Sequence, residues 1–399
     1  MKKLATFLAF ALLGISASAQ YYYQDATNSE MIRHASRHES CRKEVVLPMV
    51  NGYNVYKADL HTHTIFSDAQ VLPKYRVLEA WIDGLDVMAV TEHVEYRPSE
   101  PMMVEYLQKY VSEKYPKAIN YSIGGKAASE EGIMVDLNYC VRESQAAAKS
   151  YGITIIPGCE ITRDGATVGH FNALFTTDNN TIYHPDPVQS VRNAKAQNAI
   201  VMHNHPGWKR KDLQMTATEA AVYGEGLVDG IEVMNGAEFY PGIIDRVQEK
   251  GLFISANSDI HRTTASDYRL TGHLRPMTLI LAKDKSLESL REALEADRTL
   301  ALAFDTVCGE EQLLKDFFAA GMKTSVVSTN SKGVSTVMLT NCTSVPYVIK
   351  VGNSNQFRLD PFCTVSLKSE AGANVLKFTV LNMFCSKDKH PEVGNRVLI

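Results

Sequence analysis

Between residues 55 and about 303, short apolar runs alternate with stretches whose apolar positions fall three and four apart. Runs of the first kind read as buried strands and stretches of the second kind as amphipathic helices, so the alternation predicts βα units building a sheet or barrel. The predicted strands are 55–60, 86–90, 153–157, 171–175, 199–202, 230–234, 252–256 and 277–281, with helices at 74–82, 104–114, 137–149, 188–197, 243–249 and 287–295. Strands and helices in this order over about 250 residues fit a (β/α) barrel or a distorted relative. An open doubly wound sheet is the alternative. A further helix-like run at 310–320 leads into a different pattern. From 325 onward, Val, Thr and Ser dominate short alternations such as Thr336-Val337-Met338-Leu339 and Tyr347-Val348-Ile349, which predict a small C-terminal β-sandwich. The expected organisation is a signal peptide (1–19), an N-terminal extension (20–50), a barrel (51–308), a linking helix (309–324) and a C-terminal β domain (325–399).

Composition narrows the class without changing that outline. The chain has 399 residues, 45% hydrophobic and 22% charged, which suits a globular protein with a sizeable core and excludes collagen, coiled coil and polyelectrolyte. The net charge is -4 and no dense basic block appears, so there is no nucleic-acid-binding signature. Lys2 and Lys3 precede an apolar run from Leu4 to Ile15, and Ala17-Ser18-Ala19 offers a cleavage site, the pattern of an export signal. A membrane span needs roughly 20 apolar residues, so this run is too short to be one. Cleavage before Gln20 would leave an exported, periplasmic or extracellular protein. The seven cysteines are odd in number and scattered. Cys140 and Cys159 read as buried thiols, and one disulfide is expected among Cys342, Cys363 and Cys385.

The chemistry gathers where apolar runs end. His61-Thr62-His63 closes the first strand, and residues two apart on a strand point the same way, so two imidazoles converge. Asp68 follows in Ser67-Asp68-Ala69. The second strand runs into Glu92-His93 and the third into Glu160. His170 immediately precedes the fourth, the fifth runs into His203-Asn204-His205, and the seventh into Asp259-Ile260-His261. Strand ends on one rim of a barrel bring distant residues into one pocket. A nitrogen-rich donor set with carboxylates suits zinc, manganese or iron better than calcium or magnesium. A carboxylate can bridge two such ions, and a hydroxide held between metals is a strong nucleophile at neutral pH. His203 is read as pocket lining rather than as a ligand.

Asp59-Leu60-His61-Thr62-His63 with Ser67-Asp68, then Thr91-Glu92-His93, Glu160, His170, His205-Pro206 and Asp259-Ile260-His261, resembles the motifs of the PHP (polymerase and histidinol phosphatase) superfamily over residues 55 to 305. Finer details, Glu92 to Pro98, Glu160 to Arg163, Asn204 to Trp208 and Ser258 to His261, are similar to the exported phosphodiesterases of the Sb-PDE family. The resemblance implies a distorted (β/α)7 barrel, two or three divalent metal ions and hydrolysis of a small phosphate ester. It implies one ion on His61, His63, Glu160 and Asp259, a second on Glu160, His170 and His205, and a third on Asp68, His93 and His261. Two positions depart from the pattern: Glu92 stands where many members have Asp, and Ala69 where Gly is commoner.

On the substrate side, Arg163 and Arg262 are placed to hold a phosphoryl oxygen, with surface ion pairing as the alternative. Trp208 would stack on a leaving group or cap the barrel. Tyr96 and Tyr240 would add a wall on the same rim. The leading expectation is a metal-dependent phosphodiesterase using a metal-bridging hydroxide. The alternatives are a phosphomonoesterase, an amidohydrolase-like deacylase, and a metal-dependent ligand-binding surface protein without turnover.

Overall fold

The computed structural model describes residues 42–111, 120–121, 127–129, 135–269, 272–352, 356–373 and 375–396. The expected signal peptide and Cys41 lie outside the described residues; the helix expected at 104–114 is instead Glu100–Tyr106, followed by a short 3-10 turn at Gln108–Tyr110. Strands run in chain order as β1 (Asn54–Asp59), β2 (Val87–Val90), a ribbon of β3 (Asn120–Tyr121) and β4 (Ala127–Ser129), β5 (Thr154–Ile161), β6 (Phe171–Leu174), β7 (Ile200–His203), β8 (Gly230–Asn235), β9 (Glu238–Phe239), β10 (Phe253–Asn257), β11 (Met277–Ala282), β12 (Thr299–Ala303) and β13 (Thr306–Cys308). All eight strands expected from the apolar runs are present, each shifted by a few residues at most apart from β5, which continues to Ile161.

The sheet is mixed rather than parallel throughout. Its order is β10-β8-β7-β6-β5-β2-β1-β11-β12-β13, with β9 on β8. β1, β2 and β5 are parallel neighbours, as are β7, β8 and β10. β6 runs antiparallel to both β5 and β7. The cause is local: residues 162–170 between β5 and β6 form no helix, and a chain without a crossover can only return antiparallel. The sheet curls until its free end, β10, faces β11 and β12. Backbone pairing does not close that seam; threonine hydroxyls bridge it. Ile254 N donates to Thr299 Oγ1 at 3.1 Å and Ala256 N to Thr278 Oγ1 at 3.2 Å. At the rim, Asp259 N donates to His61 O at 3.0 Å, bringing the end of β10 against the end of β1.

Helices cover the outer face. Pro73–Ile82, Tyr139–Ala148, Pro187–Ala196, Pro241–Lys250 and Leu287–Glu295 fall where the periodicity places them. The helix Ala217–Gly224 was not expected. Only Val222 among its larger apolar residues is buried, so no stripe marks it in the sequence. What starts it is a capping box between Thr216 and Glu219. The N-terminal extension is extended from 43 onward: Lys43 N donates to Ile82 O at 2.7 Å. Gly84, at φ +89°, makes this approach possible, since a Cβ there would stand 2.6 Å from Lys43 O.

The C-terminal region begins with the helix Glu311–Gly321 and continues as β14 (Met322–Thr329), β15 (Ser335–Asn341), β16 (Tyr347–Lys350), β17 (Gln356–Leu359), β18 (Thr364–Lys368), β19 (Val375–Val380), β20 (Met383–Phe384) and β21 (Glu392–Arg396). These form a β14-β15-β18 sheet and a β17-β16-β19-β21 sheet, with burial alternating along β15, β16 and β19. The helix buries Leu314, Phe317 and Phe318 against this core, with Phe318 edge-on to Tyr347 at 5.0 Å. β20 pairs with β13, so the region supplies the last strand of the main sheet. Ser344 N also donates to Val46 O at 2.9 Å. No disulfide forms among the described cysteines: Cys342, Cys363 and Cys385 are free thiols, contrary to expectation. Cys385 sits in the apolar core while Cys363 is exposed, so burial sets those two thiols apart.

A chain ending at residue 320 is expected to lose cooperative folding. Phe317, Phe318 and the β13 edge would face water, at about 1.5–3 kcal/mol for each large apolar side chain uncovered. A thermal melt as sharp and as high as that of the full chain would show instead that the barrel stands alone.

Candidate metal centre

The ends of β1, β2, β5, β7 and β10 meet on one rim, and Glu160 at the end of β5 together with the loops leaving the other strands carries the expected residues inward. His61, His63, Asp68, His93, Glu160, His205, Asp259 and His261 all come together there. Ring centroids of His63 lie 4.3 Å from His93, 4.5 Å from His261 and 5.1 Å from His61. Three groups have ligand atoms within 4.8 Å of one another: His63, Asp68, His93 and His261; His61, His63 and Asp259; and His61, Glu160 and His205. His63 therefore stands with Asp68, where the resemblance had placed it only with His61.

The partners of each ring decide which nitrogen points inward. His61 Nδ1 donates to Glu232 Oε1 at 2.9 Å, and His261 Nδ1 to Asp259 O at 2.8 Å. His93 Nδ1 lies 2.5 Å from Thr162 Oγ1. Each ring thus turns its Nε2 lone pair into the centre. There the lone pairs meet carboxylate oxygens. His63 Nε2 is 3.1 Å and His61 Nε2 3.3 Å from Asp259 Oδ1, while His261 Nε2 is 3.1 Å and His93 Nε2 3.4 Å from Asp68 Oδ1. His61 Nε2, His63 Nε2, Asp68 Oδ1, Glu160 Oε2 and Asp259 Oδ1 are buried without any hydrogen-bond partner. Acceptors facing acceptors in a dry site are costly unless a cation lies between them. The residues therefore fit a metal site, and the clusters are able to bind metal.

Burial works to lower the imidazoles of His61, His93, His205 and His261, but without a cation the surrounding carboxylates raise them, so protons stand in there for the positive charge a metal would bring. Burial, with His93 and His261 alongside, holds the His63 imidazole down at about 3, so it is neutral. Burial raises the carboxyl of Glu160, but His93, His61 and His170 around it pull it well below the usual range. Asp259 behaves alike, burial opposed by His61 and His63. Its backbone sits at φ +50° and that of His205 at φ +24°, conformations a non-glycine residue adopts only when its surroundings impose them.

His170 reaches the centre but stays outside the three groups. Its Nε2 donates to Arg163 O at 2.7 Å, and its Nδ1 lies 3.0 Å from Glu160 Oε1. His203, expected to line the pocket, does not. It is fully buried and turns to the helix Ala217–Gly224, where Nε2 donates to Glu219 Oε1 at 2.9 Å and Nδ1 accepts from Tyr223 Oη at 3.0 Å. His205→Ala is therefore expected to lower bound metal and activity together. His203→Ala should cost about 1–3 kcal/mol of stability, by leaving Glu219 short of a donor, with metal content unchanged. Elemental analysis of both purified variants checks this, and equal metal loss would overturn the distinction.

The substrate-side expectations divide. Arg163 pairs with the buried Glu95, and donates to Thr162 O at 3.0 Å and His184 O at 2.7 Å. It braces the loop that follows Glu160 and is committed to protein partners, not to a phosphoryl oxygen. Arg262 is exposed beside His261. Trp208 is half-buried between His170 at 5.4 Å and His205 at 5.2 Å, with Lys209 Nζ 4.0 Å above its ring. Tyr96 stands edge-on to His93 at 5.7 Å. Tyr240 instead packs on Gly207 and bonds Glu238.

Beneath the ligand atoms lies a layer that sequence reasoning missed. Arg275 pairs with Asp59 and Asp83; Asp59 in turn accepts His61 N and Ser258 N, both at 3.2 Å. Arg76 donates to His63 O at 2.9 Å and Ile260 O at 3.2 Å, tying the two metal-site loops together. Glu232 contacts His61 from below. Its signal was available as the one charged residue inside Ile231-Glu232-Val233-Met234, an otherwise apolar strand. Glu92 keeps a supporting role despite its length, accepting from Thr64 Oγ1 at 2.6 Å and from Ser67, whose hydroxyl lies 3.3 Å from His63 Nδ1. Ala69 keeps a negative φ, so the missing glycine is not needed.

A family model for the PHP domain matches residues 59–295, more than half of the chain, and the chain belongs to that family. Among solved structures, it is similar to a two-domain protein from Bacteroides vulgatus ATCC 8482 described as containing a predicted PHP-like metal-dependent phosphoesterase. The identity is 32%, the match covers 90% of this chain and 99% of that one, and the TM-score is 0.76. An amidohydrolase from Chromobacterium violaceum matches at 16% identity over 53% of this chain and 89% of that one, with a TM-score of 0.34. The lesion-specific endonuclease Q of Pyrococcus furiosus matches at 14% identity over 70% of this chain and 64% of that one, with a TM-score of 0.37. Comparison with curated proteins returned no match. The fold is that of a PHP-like metal-dependent phosphoesterase with additional C-terminal β-sheets. Among the described residues no helix is long and apolar enough to cross a membrane.

Proposed function

We propose that this chain is an exported phosphodiesterase of the Sb-PDE kind that holds two or three divalent ions, zinc, manganese or iron, and hydrolyses a small phosphodiester. The observation that carries the reading is the inward set of buried, unpartnered ligand atoms on His61, His63, Asp68, Glu160 and Asp259. One ion would be held by His61, His63, Glu160 and Asp259, a second by Glu160, His170 and His205, and a third by Asp68, His93 and His261 with His63 near enough to share. In this reading β1, β2, β5, β6, β7, β8 and β10 are the seven strands of the distorted barrel. Bound there, such ions supply positive charge against phosphoryl oxygens and make water a competent nucleophile at neutral pH. The protein's own part is to keep the rings in one tautomer, to hold Asp259 and His205 in their left-handed conformations, and to present Arg262 to a phosphoryl oxygen. Export rests on the N-terminal segment alone, and a mature N-terminus at Gln20 in the exported fraction would bear it out.

Preference for a diester follows from the shortage of free cations. A monoester dianion is normally met by several fixed positive groups besides the metals. Here Arg163 is engaged by Glu95, which leaves Arg262 of the two. A diester has one negative charge and a second organic group, for which half-buried Tyr96 offers a ring, Trp208 being covered by Lys209 and packed on Gly165. The expected result is a higher kcat/KM for an aryl phosphodiester than for the matched monoester at neutral pH and equal metal content, and loss of both rates on metal removal. A monoester preference of tenfold, about 1.4 kcal/mol of transition-state binding, would make this a phosphomonoesterase. Turnover of carboxylic esters or amides alone would make it a deacylase.

A further inference from the structure

We infer that Glu232 is the positioning residue of the centre, an obligate carboxylate that sets His61 and His205 together and meets from below the charge of a cation held between them. The inference rests on the metal-site reading of the cluster. Glu232 lies on β8, fully buried, and its two oxygens take four donors. Oε1 accepts from His61 Nδ1 and Asn257 Nδ2, both at 2.9 Å. Oε2 accepts from His205 N at 2.7 Å and Asn235 Nδ2 at 2.9 Å.

Two of these donors cannot reverse their roles. His205 contributes a backbone N–H. The Asn257 side-chain oxygen already accepts from Leu60 N at 2.8 Å and Thr278 Oγ1 at 3.0 Å, so its amide nitrogen must face Glu232. A glutamine would turn its own NH2 toward two of the four donors, and a protonated acid its O–H toward one. Only an ionised carboxylate satisfies all of them.

The charge has no ordinary counter-ion. Among the described residues no lysine or arginine pairs with Glu232, and its one titratable partner is His61. A buried carboxylate left like this is expensive. A carboxylate, an imidazole and a metal in line resolve the cost: the ring passes the cation's charge to the carboxylate, and the carboxylate makes the ring a stronger ligand. Glu232 does this for His61, and through Oε2 it also pins the backbone of His205 at its unusual φ. His61 and His205 belong to the same group with Glu160, so one side chain sets two of that group's three members. Among the described residues no hydrogen bond or ion pair joins Glu232 to Asp68, His93 or His261.

The test uses the full chain, zinc as the probe, and Glu232→Gln. The variant is expected to bind its weakest zinc 10–100-fold less tightly against a chromogenic chelator, the usual effect of losing such a partner, with the remaining zinc retained. Zinc should also raise its Tm by less than it raises that of the wild type, while the metal-free Tm falls by less than the zinc-loaded one, because the loss of a buried charge offsets part of the cost of donors left facing an amide. Unchanged zinc affinity, or a metal-free Tm that falls as much as the zinc-loaded one, would overturn the inference. Should the variant fail to fold, 15N-histidine NMR of the zinc-loaded wild type decides instead: His61 must carry its proton on Nδ1, and a proton on Nε2 overturns the role of Glu232. A wild type that takes up no zinc, manganese or iron at all sinks the metal reading itself, and this inference with it.

Discussion

Asp259→Asn is expected to lower kcat/KM by well over 100-fold, more than the 10–100-fold typical of losing an outer-shell partner of a metal ligand, and to cut the stability of the metal-free protein far less. Asp259 Oδ1 faces the Nε2 lone pairs of both His61 and His63, and Oδ2 lies 3.8 Å from His205 Nε2, so one carboxylate serves three rings. An amide of the same shape removes the charge without opening a cavity. In the metal-free protein the change removes a part-buried anion that His61 and His63 hold ionised. Stability should therefore fall far less than activity and metal content. Urea unfolding of the metal-free protein and elemental analysis of the loaded protein separate the two effects. A large loss of metal-free stability would mean that Asp259 is mainly structural.

Arg275→Met is expected to do the opposite, costing about 3–5 kcal/mol of stability, the usual cost of removing one partner from a buried ion pair. Arg275 is buried and joins Asp59 to Asp83, and Asp59 is fully buried in turn. Without the guanidinium, Asp59 keeps hydrogen bonds from Ser258 and His61 N but no cation. Because these bonds fix the loops carrying His61 and Asp259, metal affinity should fall as a secondary effect. The double variant with Asp59→Asn should recover part of the loss, since no unpaired charge then remains. Strictly additive losses in urea unfolding would show that the two side chains do not act as a pair.

The candidate metal-binding residues were legible because their signal is local. A histidine pair two apart at the end of an apolar run, or an acid beside a histidine after the next run, needs only strand period and strand order to be placed on one rim. The bracing layer was not legible in the same way. Arg163 and Glu95 are joined only after β5 aligns beside β2, so next to Glu160 in the sequence the arginine looks available for substrate. His203 and His205 are two apart and would share a face on a continued strand. β7 ends at His203, however, and φ +24° at His205 sends the two rings to opposite sides of the sheet.

By itself the sequence determined the elements, their order and the kinds of donor atom present, since periodicity and residue chemistry are properties of short stretches. It determined too that a β-rich unit follows the βα region, because the apolar period changes near residue 325. The tertiary structure alone decided that the sheet is mixed, that threonine hydroxyls bridge its seam, and which lone pairs face one another across the centre. It alone decided that Glu232 and Arg275, isolated charges in apolar surroundings, stand beneath the ligands. A buried charge survives only where distant partners reach it, and for these two the partners are as far away in sequence as His61 and Asp59.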